Sequence, residues 1–300
     1  MADDPVHQIA ALTRGFSIEA TLPSAQDIDS LRGVAPAGMP VFLSAVPAKP
    51  LMSGIEPATH IRRIGFEPVP HLVARNFPDR ASLDEFLARM SGEAGVTRAL
   101  VLAGDLPQPK GDLFDAHALI LSGALQKHGI TEIGISGYPE GNPNIPHELI
   151  LKALPQKLTA AREGGLAAEI VTQFGFDAAP IANWIIRLRQ DGHHERVRVG
   201  LAGPTSFAAL LRYAKRCGVK ASARGAARNT GLLKQMFGGL SAPDDLVRAL
   251  ALDGPPGHLG DIALHFFSFG GIPATARWAA AVADGRITLE GEDGFSVEGL

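Results

Sequence analysis

Several apolar runs in this sequence each carry one polar residue of a kind that does chemistry. Phe16-Ser17-Ile18-Glu19-Ala20-Thr21-Leu22-Pro23 sets a carboxylate inside an otherwise apolar segment. A glutamate so placed must be paired, hydrated or functional, because an unpaired charge away from water is costly. His71 stands in Pro70-His71-Leu72, Asp105 closes Leu102-Ala103-Gly104-Asp105, and Tyr138 opens Tyr138-Pro139-Glu140-Gly141-Asn142-Pro143. Gln173 lies in Val171-Thr172-Gln173-Phe174-Gly175-Phe176-Asp177. Brought to one end of a fold, these residues form a cup of acids, amide, imidazole and phenol with few basic groups, able to exchange protons and to hydrogen-bond a polar ligand.

The elements that must position them alternate between short β-rich runs and longer segments of helical period. Eight strand candidates follow: Gly15 to Thr21, Pro40 to Val46, Glu67 to Ala74, Arg98 to Ala103, Glu132 to Gly137, Ala168 to Gln173, Arg196 to Leu201 and Asp261 to Phe267. Most are apolar on both faces, as buried parallel strands are. Helix starts are read at Ser82, with Glu85 three residues on as a capping box, at Asp177 and at Thr205. No G-x-G-x-x-G follows the first strand, so eight βα units without a composition break close into a single-domain (β/α)8 barrel rather than an open dinucleotide-binding sheet. In such barrels the working residues stand at the carboxyl ends of the strands, where each polar residue named above falls. A helical insertion is expected at about 221–253 and a polar, Gly-rich tail at about 285–300, either loosely ordered or packed in an oligomer.

Composition narrows the partners. The 300 residues are 46% apolar and 20% charged with a net charge of −3, and no basic run could track a phosphate backbone, so nucleic acid is not an expected partner. No apolar stretch approaches the ~20 residues of a membrane helix. The acidic Met1-Ala2-Asp3-Asp4-Pro5 is unlike an export signal, and the lone Cys217 forms no internal bridge, so a cytoplasmic protein is expected. His193-His194-Glu195 lacks the H-E-x-x-H spacing of a zinc helix and reads as solvated surface, so no metal is assigned. Gly200 to Pro204 has no Lys or Arg and reads as a turn rather than a phosphate loop.

Five of these motifs, in order and each at a strand end, resemble the methylenetetrahydrofolate reductase family, whose catalytic module is a (β/α)8 barrel holding FAD. F-S-F-E-x-x-P-P is similar to Phe16 to Pro23, P-H-L-T to Pro70-His71-Leu72-Val73, L-R-G-D to Leu102 to Asp105, Y-P-E-x-H-P to Tyr138 to Pro143, and I-T-Q-x-F-F-D to Val171 to Asp177. The resemblance spans roughly Gly15 to Val282. It implies a flavin-dependent oxidoreductase interconverting 5,10-methylene- and 5-methyltetrahydrofolate with NAD(P)H. Glu19 then matches the general acid that opens the folate's five-membered ring, with a pKa raised by burial. Asp105 matches the carboxylate near pterin and flavin, Gln173 the amide on the pterin, and Phe207 falls near a substrate-stacking aromatic. His71, Gly104 and Tyr138 match positions lining FAD. A homo-oligomer is also implied, and no regulatory extension is expected after the barrel.

The sequence departs from the family pattern at Ala103, where the family has arginine, near Ala45 in place of threonine, at Asn142 in place of histidine, and at Gly270-Gly271 in place of Asn-Arg. The first two weaken the expected flavin site and the last removes a basic contact to the folate tail. Other readings stay open: a folate-binding carrier or regulator without redox activity, a relative running mainly toward methyltetrahydrofolate oxidation, or a barrel lyase, which the absence of a strand-end lysine disfavours. Residue by residue, Glu19 could pair with Arg14 or Arg75, Asp105 could cap a loop, Gln173 could satisfy backbone, His71 and Phe207 could be core, and Tyr138-Pro139 could shape a loop.

Overall fold

Eight parallel strands close into a barrel whose order around the ring is their order in the chain. The computed structural model describes residues 4–46, 48–217, 242–255 and 257–299. The helix α1 (Pro5–Thr13) comes first, capped by Asp4, whose carboxylate accepts from Val6 N–H at 3.1 Å. Then follow β1 (Ser17–Ala20), α2 (Ala25–Asp29), β2 (Pro40–Leu43), α3 (Ile55–Arg63), β3 (Glu67–Val73), α4 (Arg80–Ala94) and β4 (Arg98–Leu102). The second half runs through α5 (Ala116–Ile120), α6 (Ala124–Lys127), β5 (Glu132–Gly137), α7 (His147–Glu163), β6 (Ala167–Thr172), α8 (Ala178–Gln190), β7 (Val197–Ala202) and α9 (Phe207–Cys217). It ends with α10 (Asp244–Leu252), β8 (Ile262–Phe267), α11 (Ile272–Ala283), β9 (Ile287–Glu290) and β10 (Gly294–Val297). No described helix is long and apolar enough to cross a membrane.

Strand residues pointing outward, such as Ile133, Ile135, Val197 and Val199, bury themselves against the helices in one continuous core. In α4 the stripe Leu83, Phe86, Leu87 and Met90 is buried, each side chain contributing roughly 1.5–3 kcal/mol as an upper estimate. Its cap is not the expected Ser82. Asp79 holds the N-cap and accepts from Ser82 N–H at 2.7 Å, so Ser82 is the third residue of the first turn. Asp177 does cap α8. Before α9 the capping oxygen belongs to Ser206, which accepts from Ala209 N–H at 3.3 Å, while Thr205 is buried with no partner for its hydroxyl among the described residues.

Inside the barrel the residues stack in layers. Near the amino ends of the strands Arg198 donates through Nε to both oxygens of Glu169 at 2.9 and 2.8 Å, and Arg98 bridges Glu169 and Glu132 at 3.1 and 2.7 Å. Four of the strands meet there through one ionic cluster. An apolar plug of Phe42, Val69, Leu100 and Val171 forms a second small core within the lumen. Toward the carboxyl end stand Glu19, His71 and His265.

The insertion expected at about 221–253 lies largely outside the described residues; within its described part, α10 forms a regular helix. The tail is regular in its described part, 285–299. β9 and β10 pair antiparallel, Phe295 is buried against Trp278 with ring centroids 5.9 Å apart, and Arg248 donates to Gly294 O at 2.6 Å. The polar composition hid an alternation that turns Ile287 and Phe295 inward.

Candidate active site

Glu19 sits at the third position of β1, paired in register with Phe42 of β2 and Phe267 of β8. Its backbone carbonyl is held by the Ser268 hydroxyl just after β8. The side chain points into the mouth, 14% exposed. Oε1 accepts from Ser44 Oγ at 2.7 Å, and Ser44 in turn lies 3.0 Å from Thr21 Oγ1. Oε2 faces Nε2 of His71 at 3.3 Å and Nε2 of His265 at 3.5 Å. Both separations are within ion-pair range, yet neither nitrogen is aligned for a good hydrogen bond, leaving two buried imidazole nitrogens turned toward one carboxylate oxygen.

This enclosure reverses one expectation. Burial alone pushes the Glu19 carboxyl up, but His71 and His265 together outweigh burial and hold it below the usual carboxylate range. His265 is shifted the other way: complete burial lowers its basicity more than Glu19 restores it, with Arg198 and His71 adding to the loss. Its ring is clamped edge-on between Phe42 and Phe267, with centroids at 4.6 and 5.0 Å. Nδ1 of His265 meets Ser17 Oγ at 2.9 Å, and Arg198 Nη1 donates to that same oxygen at 3.4 Å. The serine proton thus points to Nδ1, and the neutral ring carries its hydrogen on Nε2, toward Glu19.

A second group gathers over β5 and β6. Tyr138 and Gln173 border a cavity of about 250 Å3 with Glu140, His147 and Phe174. Gln173 Oε1 accepts from Phe174 N–H at 3.2 Å, which orients the amide and leaves its NH2 group to donate. Burial, with the Asp105 charge, raises the Tyr138 phenol against a hydrogen bond to Ser136. Burial and neighbouring Asp177 push the Glu140 carboxyl up to about 7.

The expected residues therefore stand on one rim but not in one contact set. Glu19 and His71 touch, Tyr138 and Gln173 share a cavity, and Asp105 is exposed in the loop after β4, within electrostatic reach of Tyr138. Arg75 does not pair with Glu19; it ties that loop down by donating to Phe114 O at 2.7 Å and Leu106 O at 2.8 Å. At Gly104 φ is +97° and a Cβ would collide with Val73, so only glycine fits this turn. Phe207 is half-buried and takes no part in the ring contacts of the mouth, where Tyr213 of the same helix stacks on Phe269 at 4.0 Å and Phe269 packs against Phe174. Sequence reasoning missed His265 and Ser44. His265 is hidden in the apolar run Ile262 to Phe267, although a lone imidazole at a strand's carboxyl half was the available signal.

A family model described as methylenetetrahydrofolate reductase matches residues 25–227. The chain belongs to the methylenetetrahydrofolate reductase family. The matched segment begins after Glu19 and ends before β8. "Methylenetetrahydrofolate reductase 2" of Saccharomyces cerevisiae is 29% identical over 162 residues, which cover 51% of this chain and 26% of that protein. The match thus spans about a quarter of that relative's length. Among solved structures, an uncharacterized protein from Clostridium thermocellum that binds two copies of 5-methyl-5,6,7,8-tetrahydrofolic acid superimposes with a TM-score of 0.53 at 11% identity, over 89% of this chain and 93% of that one. A triosephosphate isomerase from Bartonella henselae covers 90% of this chain and 98% of its own at 12% identity, with a TM-score of 0.43. The first of these structures supports the barrel fold.

Family membership raises the question of a flavin, and the residues expected to line one do not gather around a single cavity. His71 borders a cavity of about 80 Å3 between the ends of β2 and β3, Tyr138 borders the separate 250 Å3 cavity, and Gly104 borders neither. Both volumes fall below the ~300–1,000 Å3 of cofactor and drug-sized sites. Of the described residues lining them, the lysines are Lys49 and Lys110, both in the smaller one.

Proposed function

We propose that this protein is an oxidoreductase of the methylene- and methyltetrahydrofolate couple, with NAD(P)H as the redox partner and Glu19 as the proton donor. The observation that carries the reading is the enclosed Glu19 carboxylate, held by Ser44, His71 and His265 at the carboxyl end of a barrel of this family. Opening the folate's five-membered ring requires a proton on the departing nitrogen. Glu19 stands 14% exposed at the mouth, so it can reach a ligand while its partners hold the proton close by. The two imidazoles define the acid as a cluster rather than an isolated buried carboxylic acid.

Gln173 and Tyr138 serve as binding groups for the pterin edge, the amide offering a donor beside the phenol. Asp105, exposed at the rim, favours positive charge developing on the ring-opened folate. Flavin, when bound, would relay hydride from the nicotinamide; no step is assigned to it, because His71 and Tyr138 border two separate cavities of about 80 and 250 Å3 and Gly104 borders neither. That same smallness favours a second reading, a folate-binding protein without redox activity, in which Gln173 and Tyr138 keep their roles. The ligand is a small molecule in either case, and self-association is proposed with it.

Calorimetry with 5-methyltetrahydrofolate, followed by a visible spectrum and an NAD(P)H oxidation assay with 5,10-methylenetetrahydrofolate, tests the reading. Binding with turnover supports the oxidoreductase, binding without turnover the carrier, and no binding overturns both.

A further inference from the structure

His71 has two different neighbours. Its Nε2 faces Glu19 Oε2 at 3.3 Å, and its ring also borders the 80 Å3 cavity between the ends of β2 and β3, away from Tyr138 and Gln173. That cavity has polar walls at Ser44, Asn76, Lys49 and Lys110 and is large enough for several waters. Asn76 lines that cavity, and its Oδ1 is buried and meets no donor among the described residues. Ser44 ties the same wall to Glu19 Oε1 at 2.7 Å.

We propose that His71 loads Glu19 with its proton, taken from water in the β2–β3 cavity rather than from the ligand's side of the mouth. The inference rests on the reading of Glu19 as the folate's proton donor. In the step, the Nε2–H bond of a protonated His71 breaks as an O–H bond forms on Glu19 Oε2. Glu19 then passes that proton to the departing folate nitrogen, and the neutral ring, left with its hydrogen on Nδ1, turns its bare Nε2 toward the cavity, takes a proton from water there and turns back. No electrons change hands in this exchange, and one solvent proton is consumed for each ring opened.

His265 cannot take this task. It is fully buried, and beyond its Nδ1 the hydrogen bonds lead through Ser17 to Arg198, whose guanidinium does not release a proton. Among the described residues, the charged and titratable groups facing His71 include Glu19 on β1 and His265 on β8, with Arg198 of β7 behind it, and Lys49 and Lys110 line the same cavity. His265 orients the carboxylate, and His71 feeds it. His71 thus acts through Glu19 as a positioning and proton-loading residue.

The test uses the full chain with His71→Ala, His71→Gln and Asn76→Leu, assaying methylenetetrahydrofolate turnover across pH with and without imidazole. His71→Ala is expected to lose ~10²-fold in kcat with the folate KM within a few-fold, to lose the wild-type pH dependence, and to regain activity with added imidazole. His71→Gln falls as far without rescue. Asn76→Leu, which replaces the orphan acceptor with an apolar side chain, slows turnover and enlarges the solvent deuterium isotope effect. A folate-competent enzyme whose His71 variants keep the wild-type rate and pH profile, or lose activity with no imidazole rescue and an unchanged profile, overturns the proposal alone. If the His71 variants do not fold, Asn76→Leu with unchanged rate and isotope effect overturns it. A wild-type protein that neither binds nor turns over folate overturns the underlying reading as well.

Discussion

Oε2 of Glu19 lies 3.3 Å from Nε2 of His71, with both side chains almost wholly enclosed at 14% and 8% exposure. Glu19 leaves β1 and His71 leaves β3, and the barrel's stagger brings them together above the apolar plug of Phe42, Val69, Leu100 and Val171. The pairing explains how a buried carboxylate is tolerated here. Burial disfavours its charge, and two imidazoles and a hydroxyl restore it. Because its folded pKa is depressed, ionised Glu19 stabilises the fold above the ordinary carboxylate range, and that contribution is lost as pH falls toward the folded value.

Lys157 of α7 offers a pH test with the opposite sign. It is buried, and its Nζ reaches Ser136 Oγ at 3.5 Å, just past Val101–Ile135, where the β4–β5 ladder ends. Burial brings its pKa down to about 8, against a smaller pull from Asp115. The charged amine is therefore penalised below pH 8, and the penalty fades as pH rises toward the unfolded value near 10.4. Lys157→Met is expected to stabilise the fold by about 1–3 kcal/mol at pH 7, with the gain vanishing above about pH 10. Urea unfolding at the two pH values measures it, and an equal effect at both would contradict the account.

The ionic layer beneath the site makes a second prediction. Arg198 and Glu169 are 3% and 5% exposed, so removing Glu169 strands the Arg198 charge, and removing Arg198 leaves Glu169 with Arg98 alone. Arg198→Met is expected to cost about 3–5 kcal/mol, and the double variant with Glu169→Leu to recover much of it. A double-mutant cycle by chemical denaturation decides, and additive losses would contradict the coupling.

The strands were legible because parallel barrel strands are buried on both faces and spell out apolar runs; β5 matches its expected limits, Glu132 to Gly137. The rim was legible too, since polar residues that end such runs must face the mouth. What stayed hidden depends on contacts between distant strands. Nothing near Glu19 in the chain announces that His71 and His265 will close on it, so burial suggested a raised pKa where the partners lower it. His265 and Ser44 read as parts of ordinary strands. The α1 helix was missed because its cap, Asp4, sits in an acidic terminus with only a short stripe of Ile9, Ala10 and Thr13 to mark it.

Helix caps give a third, local test. Asp79→Ala is expected to cost about 1 kcal/mol, whereas Ser82→Ala, at a position whose backbone N–H donates and whose side chain does not cap, should change stability by less than ~0.5 kcal/mol. Thermal unfolding of the two variants separates them, and a larger loss for Ser82→Ala would return the cap to Ser82.

The most direct test of the central claim is the turnover of 5,10-methylenetetrahydrofolate by Glu19→Gln beside calorimetric binding of 5-methyltetrahydrofolate to the same variant. The account predicts a kcat lower by ~10²–10⁴-fold with binding within a few-fold of wild type, because glutamine keeps the shape but loses the transferable proton and the charge that His71 and His265 face. A Glu19→Gln protein that turns over at the wild-type rate would contradict it.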